Sequence, residues 1–274
     1  MAQGQLNRLQ KANYKSGPAE NMKDNQILEL MRTAVEDELQ ACVDRFFYNQ
    51  TNEFREMVAY PLGIVGSTSK SEGKGKRLRP VLLMATSYAL GSDWRLALQA
   101  AVAIELVHNF SLVHDDIQDK SDTRRGQPTV WKKWGEAQAI NVGDALLAMS
   151  TLEMQRVRLN PELTMRASNR LADATFQLTT GQYLDLAFEK AEDISLTSYW
   201  HMIKGKTGAL LGACFGIAAI LAEKNDESVA ALNSLGINLG IAFQVQDDFL
   251  GVFGDDRITG KSVNSDLVER KKTY

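Results

Sequence analysis

Carboxylates are concentrated in the stretch LVHDDIQDKSDTRRGQ, from Leu112 to Gln127, where four aspartates fall within eight positions. They are Asp115, Asp116, Asp119 and Asp122. Because apolar residues come before them, the charges lie at the end of an apolar helix. Asp115 and Asp119 are four residues apart and share one helix face, where carboxylates repel unless a cation lies between them. Mg²⁺ takes one or two carboxylates together with substrate phosphates, so the pattern indicates a magnesium–diphosphate site. It also fits an acidic helix end that leads into a loop.

A second acidic pair ends another apolar segment, FQVQDDFLGVFGDD, from Phe243 to Asp256. Asp247 and Asp248 follow Gln244 by three and four positions, so Gln244 can share their helix face. Two apolar helices that end in aspartates and lie far apart in sequence predict two sides of one site. We expect a metal-bridged diphosphate between them.

Basic residues lie beside the first acidic stretch and in the segment GKGKRLRP, which precedes a helix. These residues are Lys74, Lys76, Arg77, Arg79, Arg124 and Arg125. Arginine forks and backbone amides bind phosphate well, although a basic loop by itself is more often solvated. Together with two acidic helix ends, the basic residues predict a site for two phosphorylated groups. One group would be held through metal and the other directly by cations.

The composition excludes several other classes of protein. The 274 residues are 44% hydrophobic and 24% charged with a net charge of −3, which is typical of a globular protein and gives no basic field for nucleic acid. The two cysteines show no metal-ligand spacing, which argues against a disulfide framework and fits a reducing cytoplasm. The longest nearly apolar run, Gly208 to Ala222, is short for a bilayer, so we expect a buried helix and no transmembrane segment.

Apolar periodicity predicts an all-α protein. Ile27, Met31, Val35, Leu39 and Val43 repeat every four residues and predict one long amphipathic helix. Further helices are expected around residues 80–90, 94–119, 136–159, 162–190, 195–222 and 227–251, and strand-type alternation is weak. We therefore expect a mobile polar lead-in over residues 1–25 and a single all-α domain over residues 26–274.

Seven motifs, in this order, resemble those of the trans-isoprenyl diphosphate synthases, which include farnesyl and geranylgeranyl diphosphate synthases. They are GKGKRLRP, ELVHNFSLVHDDIQD, DTRRGQPT, GDALL, KGKTGAL, FQVQDDFLGVFGD and TGKSVNSD, and the match runs from about Gly73 to Tyr274. The resemblance implies a helical bundle of the isoprenoid-synthase type around a deep central cavity, and usually a homodimer. It also implies head-to-tail condensation of isopentenyl diphosphate with an allylic diphosphate, with three Mg²⁺ ions bound together with the diphosphate substrate.

The resemblance implies a role for each matching residue. The metal set is Asp115, Asp116, Asp119, Asp247 and Asp248, in which Asp116 and Asp248 support the other three. Isopentenyl diphosphate would contact Lys76, Arg79, His108 and Arg125, and the allylic diphosphate would contact Arg124, Lys206, Lys261 and Lys271. Thr207 and Gln244 would lie beside the reacting carbons. The predicted catalytic set is therefore Asp115, Asp119, Lys206, Thr207, Gln244 and Asp247.

Some of these residues also fit a structural role when each is considered alone. His108 fits a hydrogen-bonded core histidine, and Lys206 and Thr207 fit the start of the following helix. His114 and Asp144 fit structural roles better than catalytic ones. Asp122 fits either a loop charge or a helper of the neighbouring arginines.

Product length depends on the residues before the first acidic stretch. Phe110 lies five positions before Asp115 and is followed by Ser111. A bulky ring there resembles the cavity floor of enzymes that stop at fifteen or twenty carbons. We favour twenty, because the short DDIQD form is less typical of bacterial farnesyl enzymes.

The sequence departs from the family pattern in two places. Gly251 stands where many members carry a third aspartate in the second acidic motif, a form that some members share. The family also continues with further helices beyond the position of Tyr274, so the chain as given is expected to lack C-terminal helices.

Two other functions remain open. A terpene cyclase of the same fold ionises one diphosphate, but it has no need for the basic segment around Lys76 and Arg79. A non-catalytic partner subunit of a prenyl synthase has no need for the metal-site aspartates.

Overall fold

The computed structural model describes residues 24–48, 52–64 and 75–253, and nearly all of this part of the chain is helical. The α-helices are α1 Asp24–Phe46, α2 Asn52–Ala59, α3 Leu78–Ala89, α4 Leu98–Gln118, α5 Val130–Trp134, α6 Glu136–Met154, α7 Pro161–Glu189, α8 Leu196–Ile203, α9 Ala209–Leu221 and α10 Asp226–Phe253. A 3₁₀ turn over Trp94–Ala97 precedes α4, and a π-helical segment over Lys204–Gly208 joins α8 to α9. The all-α prediction is confirmed. Lys74, Lys261, Lys271 and most of the predicted lead-in lie outside the described residues.

The apolar periodicity predicted the long helices well. The five apolar residues of the first predicted helix are all buried along α1. The Gly/Ala-rich run forms α9, which is buried along almost its whole length and packs against α3, α7 and α10. Its small residues allow this close approach on several sides, and the prediction of a buried core helix is confirmed.

The structure corrects several predicted boundaries and adds short elements. The predicted helix 136–159 ends at Met154, and a new helix begins after Asn160, whose side chain accepts a hydrogen bond from the Glu162 amide. The predicted helix 195–222 is interrupted by the π-helical segment. The helices α2 and α5 are too short to show a clear apolar period.

One β-hairpin presents the two arginines of the first acidic stretch. Strand β1, Thr123–Arg124, pairs antiparallel with strand β2, Gln127–Pro128. The turn residues Arg125 and Gly126 both have positive φ, at 53° and 74°. This is the backbone of a tight two-residue hairpin turn, and it places adjacent arginines just beyond the end of α4.

Among the described residues, three helical stretches are long and apolar enough to cross a membrane by length and composition alone. They are Trp94–Gln118, Leu196–Leu221 and Asp226–Gly251. The most apolar windows of the first two are 61% and 72% buried inside the protein, which accounts for their composition, whereas that of the third is 17% buried. The absence of a transmembrane segment stays a prediction.

Candidate active site

The first acidic cluster, Asp115, Asp116 and Asp119, occupies the last turn of α4 and the residue after it. Asp116 is buried, and it accepts a hydrogen bond of 2.9 Å from Nε of Arg124. The same guanidinium lies 3.5 Å from Asp115. Burial raises the pKa of Asp116, while Arg124 acts to lower it. Arg124 of the hairpin therefore compensates the charge of the buried Asp116. Asp115 and Asp119, in contrast, are only partly buried.

Lys206 lies between the first acidic cluster and α7. Its ammonium nitrogen is 3.6 Å from Asp115 and 2.5 Å from Asp185, a residue in the second half of α7. The π-helical segment that carries Lys206 packs closely on α7, because a Cβ on Gly181 would lie 2.1 Å from the Lys206 backbone nitrogen. π-Helical segments are frequent at functional sites, since the extra residue re-aims neighbouring side chains.

The second acidic cluster, Asp247 and Asp248, lies near the end of α10, where two neutral side chains donate hydrogen bonds to Asp248. Asp248 is 8% exposed, and its two carboxylate oxygens accept hydrogen bonds of 2.5 Å from the Tyr199 hydroxyl and 2.8 Å from the Gln244 amide. The Gln244 carbonyl oxygen accepts a 2.6 Å hydrogen bond from Thr207. Asp247 is exposed.

Arg79, Arg125 and Lys76 form a group of cations, of which Arg79 lines two cavities together with Thr207. Arg79, at the start of α3, donates to Nε2 of His108 over 3.2 Å, and because arginine has only donors this nitrogen carries no proton. Burial and the positive charges of Arg79 and Arg125 hold the pKa of His108 well below its usual range. The Arg125 guanidinium lies against Gly75, where a Cβ would be 2.9 Å from its nitrogens. Lys76 is exposed beside it.

Arg77 has a different role from its neighbours. Its side chain is buried and donates to Glu36 and Glu105, each over 2.7 Å, and to the backbone carbonyl of Leu62. Arg77 therefore joins α1 and α4 to the segment before α3. Its position in the basic segment predicted a phosphate-binding cation, but this ion-pair network accounts for Arg77 as a structural residue.

Two adjoining cavities connect these groups. The first has a volume of about 180 Å³ and is lined by residues that include Arg79, His108, Phe110, Ser111, Asp115, Lys206 and Thr207. The second, of about 210 Å³, is lined by residues that include Arg79, Thr207, Gln244 and Asp247. Arg79 and Thr207 line both cavities, while Asp115 of the first acidic cluster lines the first and Asp247 of the second lines the second.

A family comparison agrees with this geometry. The model of the family described as polyprenyl synthetase matches residues 67–274, about three quarters of the chain. The chain belongs to the polyprenyl synthetase family. This membership confirms the resemblance drawn from the seven motifs.

Individual members of the polyprenyl synthetase family support this assignment. The geranylgeranyl diphosphate synthase of Saccharolobus solfataricus is 42% identical over 73% of this chain and 60% of its own length. A (2E,6E)-farnesyl diphosphate synthase of Mycobacterium bovis is 40% identical over 80% of this chain and 61% of its own length. The chain thus spans about three fifths of the length of these relatives.

Solved structures agree on the fold. A polyprenyl synthetase from Streptomyces coelicolor is 37% identical, with a TM-score of 0.82 over 92% of this chain and 73% of its own. A polyprenyl synthase from Caulobacter crescentus, solved with calcium and isoprenyl diphosphate, is 30% identical, with a TM-score of 0.75 over 90% of this chain and 71% of its own. The predicted fold, a bundle of the isoprenoid-synthase type, is confirmed.

The structure brings most of the predicted polyprenyl synthetase site together and adds two residues. Asp185 and Tyr199 were not predicted, although they contact Lys206 and Asp248. A faint signal for Asp185 is a single carboxylate between Leu184 and Leu186 in the last part of a long helix. His114 lies 3.8 Å from Asp144 of α6 and also lines the first cavity. Asp122 pairs with Lys132 as a loop charge.

The site suits a hard cation that arrives with a diphosphate. Within the described ranges, no group of three His, Cys, Asp or Glu side chains converges as a preformed metal cage. Mg²⁺ does not require one, because it commonly uses one or two carboxylates and completes its shell with phosphate oxygens and water. The oxygen-only ligands of the acidic clusters fit this chemistry. Two cationic groups, the ammonium of Lys206 and the guanidinium of Arg124, already lie beside Asp115, so this carboxylate is in a position that attracts positive charge.

Proposed function

We propose that this protein catalyses the head-to-tail condensation of isopentenyl diphosphate with an allylic diphosphate, with Mg²⁺ as cofactor. The product would be a short-chain prenyl diphosphate, geranylgeranyl or farnesyl diphosphate. The observation that carries the proposal is the position of two adjacent residues: Lys206 lies beside Asp115 of the first acidic cluster, and Thr207 bonds to Gln244 next to the second. One segment therefore contacts both sides of a site suited to a metal-bound diphosphate.

Each group of residues would have a separate task. Asp115, Asp119 and Asp247 would hold Mg²⁺, which withdraws charge from the departing diphosphate when it is bound. Arg124 and Lys206 would bind the allylic diphosphate directly. The cations Arg79, Arg125 and Lys76, with neutral His108, would hold isopentenyl diphosphate.

The reaction would need little more from the protein than position and electrostatics. Departure of the diphosphate leaves an allylic cation, which the oxygens of Thr207 and Gln244 can stabilise. The double bond of isopentenyl diphosphate attacks this cation, and a proton is then lost to the released diphosphate. Holding both substrates in a cavity that excludes water supplies much of the acceleration.

Product analysis by mass spectrometry tests the proposal. The protein is incubated with Mg²⁺, isopentenyl diphosphate and each allylic starter in turn, with Asp115→Ala as the control. We expect one dominant chain-elongated diphosphate that is absent from the control. Turnover of an allylic diphosphate without isopentenyl diphosphate would indicate a cyclase instead. Neither product nor Mg²⁺-dependent ligand binding would favour a non-catalytic partner subunit.

Phe110 is proposed to form the floor that limits product length, and Ser111 lies beside it. Both line the first cavity, and the Phe110 ring packs edge-on against His114 with centroids 5.0 Å apart. Phe110→Ala should therefore open the floor and lengthen the product. Leu152→Ala, at an exposed position on α6, is the matched control. An unchanged product in Phe110→Ala would contradict this role.

A homodimer in the cytoplasm is also part of the proposal. Phe176 and Tyr183 lie seven residues apart on α7, on one face, and are 72% and 68% exposed. Such an apolar helix face is typical of an interface between subunits. Sedimentation velocity should give the mass of a dimer, and a monomer for Phe176→Glu if this face forms the interface.

A further inference from the structure

The hydrogen bonds around Asp248 have a fixed direction. A carboxylate can only accept hydrogen bonds, so Gln244 must present its NH₂ group to Asp248 across the 2.8 Å contact. The Gln244 carbonyl oxygen then faces Thr207. Since a carbonyl oxygen also only accepts, the Thr207 hydroxyl must donate its single proton across 2.6 Å. The direction of both hydrogen bonds therefore follows from the Asp248 carboxylate, which has no proton to donate.

This direction determines what Thr207 offers to the cavity. Its proton is used by Gln244, so any further group near Oγ1 meets only lone pairs. Thr207 lines both cavities, together with residues proposed for each of the two diphosphates. An oxygen with its lone pairs aimed at this region stabilises a positive carbon, whereas a hydroxyl hydrogen aimed there would oppose it.

These contacts form a hydrogen-bond series from Tyr199 through Asp248 and Gln244 to Thr207. Tyr199 lies at the end opposite Thr207. Its side chain is 2% exposed and packs in a small apolar cluster with Ile194, Met202 and Ile203. From this rigid position the hydroxyl donates to the second oxygen of Asp248 over 2.5 Å. Because the two oxygens of Asp248 are engaged by Tyr199 and Gln244, the carboxylate is directed toward them and away from the exposed side of α10, where Asp247 lies.

We propose that Tyr199 is a positioning residue for the condensation, acting through Asp248 and Gln244 to keep the lone pairs of Thr207 directed at the reacting carbon. The proposal rests on the function proposed above and assigns Asp248 to orientation rather than to metal binding. Tyr199 itself would touch neither substrate.

A double-mutant cycle tests this role. Tyr199→Phe removes one hydroxyl and should lower kcat about tenfold while the KM for the allylic diphosphate stays within about twofold. Tyr88→Phe, at a half-exposed tyrosine on α3, is the matched control and should leave kcat unchanged. Thr207→Val should lower kcat by itself. In the double variant Tyr199→Phe should cause no further loss, because the residue it acts through is already removed.

Losses in kcat that multiply in the double variant would overturn the proposal, since a purely structural role would add independently of Thr207. If the wild type forms no product, the proposed function fails, and the same cycle is then measured by thermal unfolding. Non-additive shifts in Tm would still support the hydrogen-bond series, and additive shifts would overturn it. If Tyr199→Phe does not fold, Asp248→Asn takes its place in the cycle with the same expectations.

Discussion

The two acidic clusters have similar sequences but different surroundings. Each contains one buried aspartate, Asp116 in the first cluster and Asp248 in the second. Asp116 is bound by the guanidinium of Arg124, a full positive charge. Asp248 accepts hydrogen bonds from the neutral side chains of Tyr199 and Gln244.

The difference shows how one motif can serve two purposes. At the first cluster, Arg124 and Lys206 compensate the aspartates with charges that can also bind a diphosphate directly. At the second cluster, Asp248 accepts a hydrogen bond from the Gln244 amide and so orients Gln244. Asp115 of the first cluster and Asp247 of the second each line one of the two cavities.

The largest difference between the clusters should appear in catalysis. Asp115→Asn should reduce product formation about a thousandfold, because several kcal/mol of metal-assisted charge stabilisation depend on this carboxylate. Initial rates at saturating Mg²⁺ measure the loss, with Asp144→Asn, an exposed aspartate on α6, as the control. A loss below tenfold would contradict the assignment of Asp115.

Asp247→Asn should have a smaller effect, a loss of about tenfold to a hundredfold. Asp247 is exposed, so water screens its charge more effectively than that of Asp115. The rate is measured under the same conditions as for Asp115→Asn. A larger loss than that of Asp115→Asn would show that the second cluster contributes more to the rate than the first, contrary to this account.

The charged partner of the first cluster should matter for stability. Arg124→Met leaves the buried Asp116 without its donor and should lower the free energy of unfolding by about 1–3 kcal/mol. Urea denaturation measures this, with the exposed Lys76→Met as a control that should be near neutral. Unchanged stability in Arg124→Met would show that Asp116 does not depend on Arg124.

The smallest expected effect concerns the pKa of His108. Its pKa is lowered in the folded protein, so the unfolded chain binds the proton more readily, and His108 should reduce stability as the pH falls below about 6.5. Its imidazole should stay neutral between about pH 6 and 8. Arg79→Met removes a nearby positive charge and should raise this pKa, although burial still holds it low. NMR titration measures both values, and a wild-type pKa near 6.5 would contradict the electrostatics described here.

Sequence patterns predicted the helices and the clusters but not the contacts between distant elements. The period of α1 and the composition of α9 were sufficient, because burial of one face or of a whole helix leaves a direct mark on residue type. Arg77 was grouped with Arg79, since nothing local distinguishes a buried structural arginine from one that is proposed to bind phosphate two positions later. Asp185 and Tyr199 were missed because their roles depend on Lys206 and Asp248, which only tertiary packing brings near them.

The most direct test of the site is whether both acidic clusters bind one metal–diphosphate. Calorimetry would measure the binding of an unreactive allylic thiolodiphosphate, with and without Mg²⁺, to the wild type, to Asp115→Asn and to Asp247→Asn. We predict tight binding to the wild type only when Mg²⁺ is present, and weakened Mg²⁺-dependent binding in both variants. Wild-type affinity and Mg²⁺ dependence in Asp247→Asn would contradict a single site formed by the two clusters.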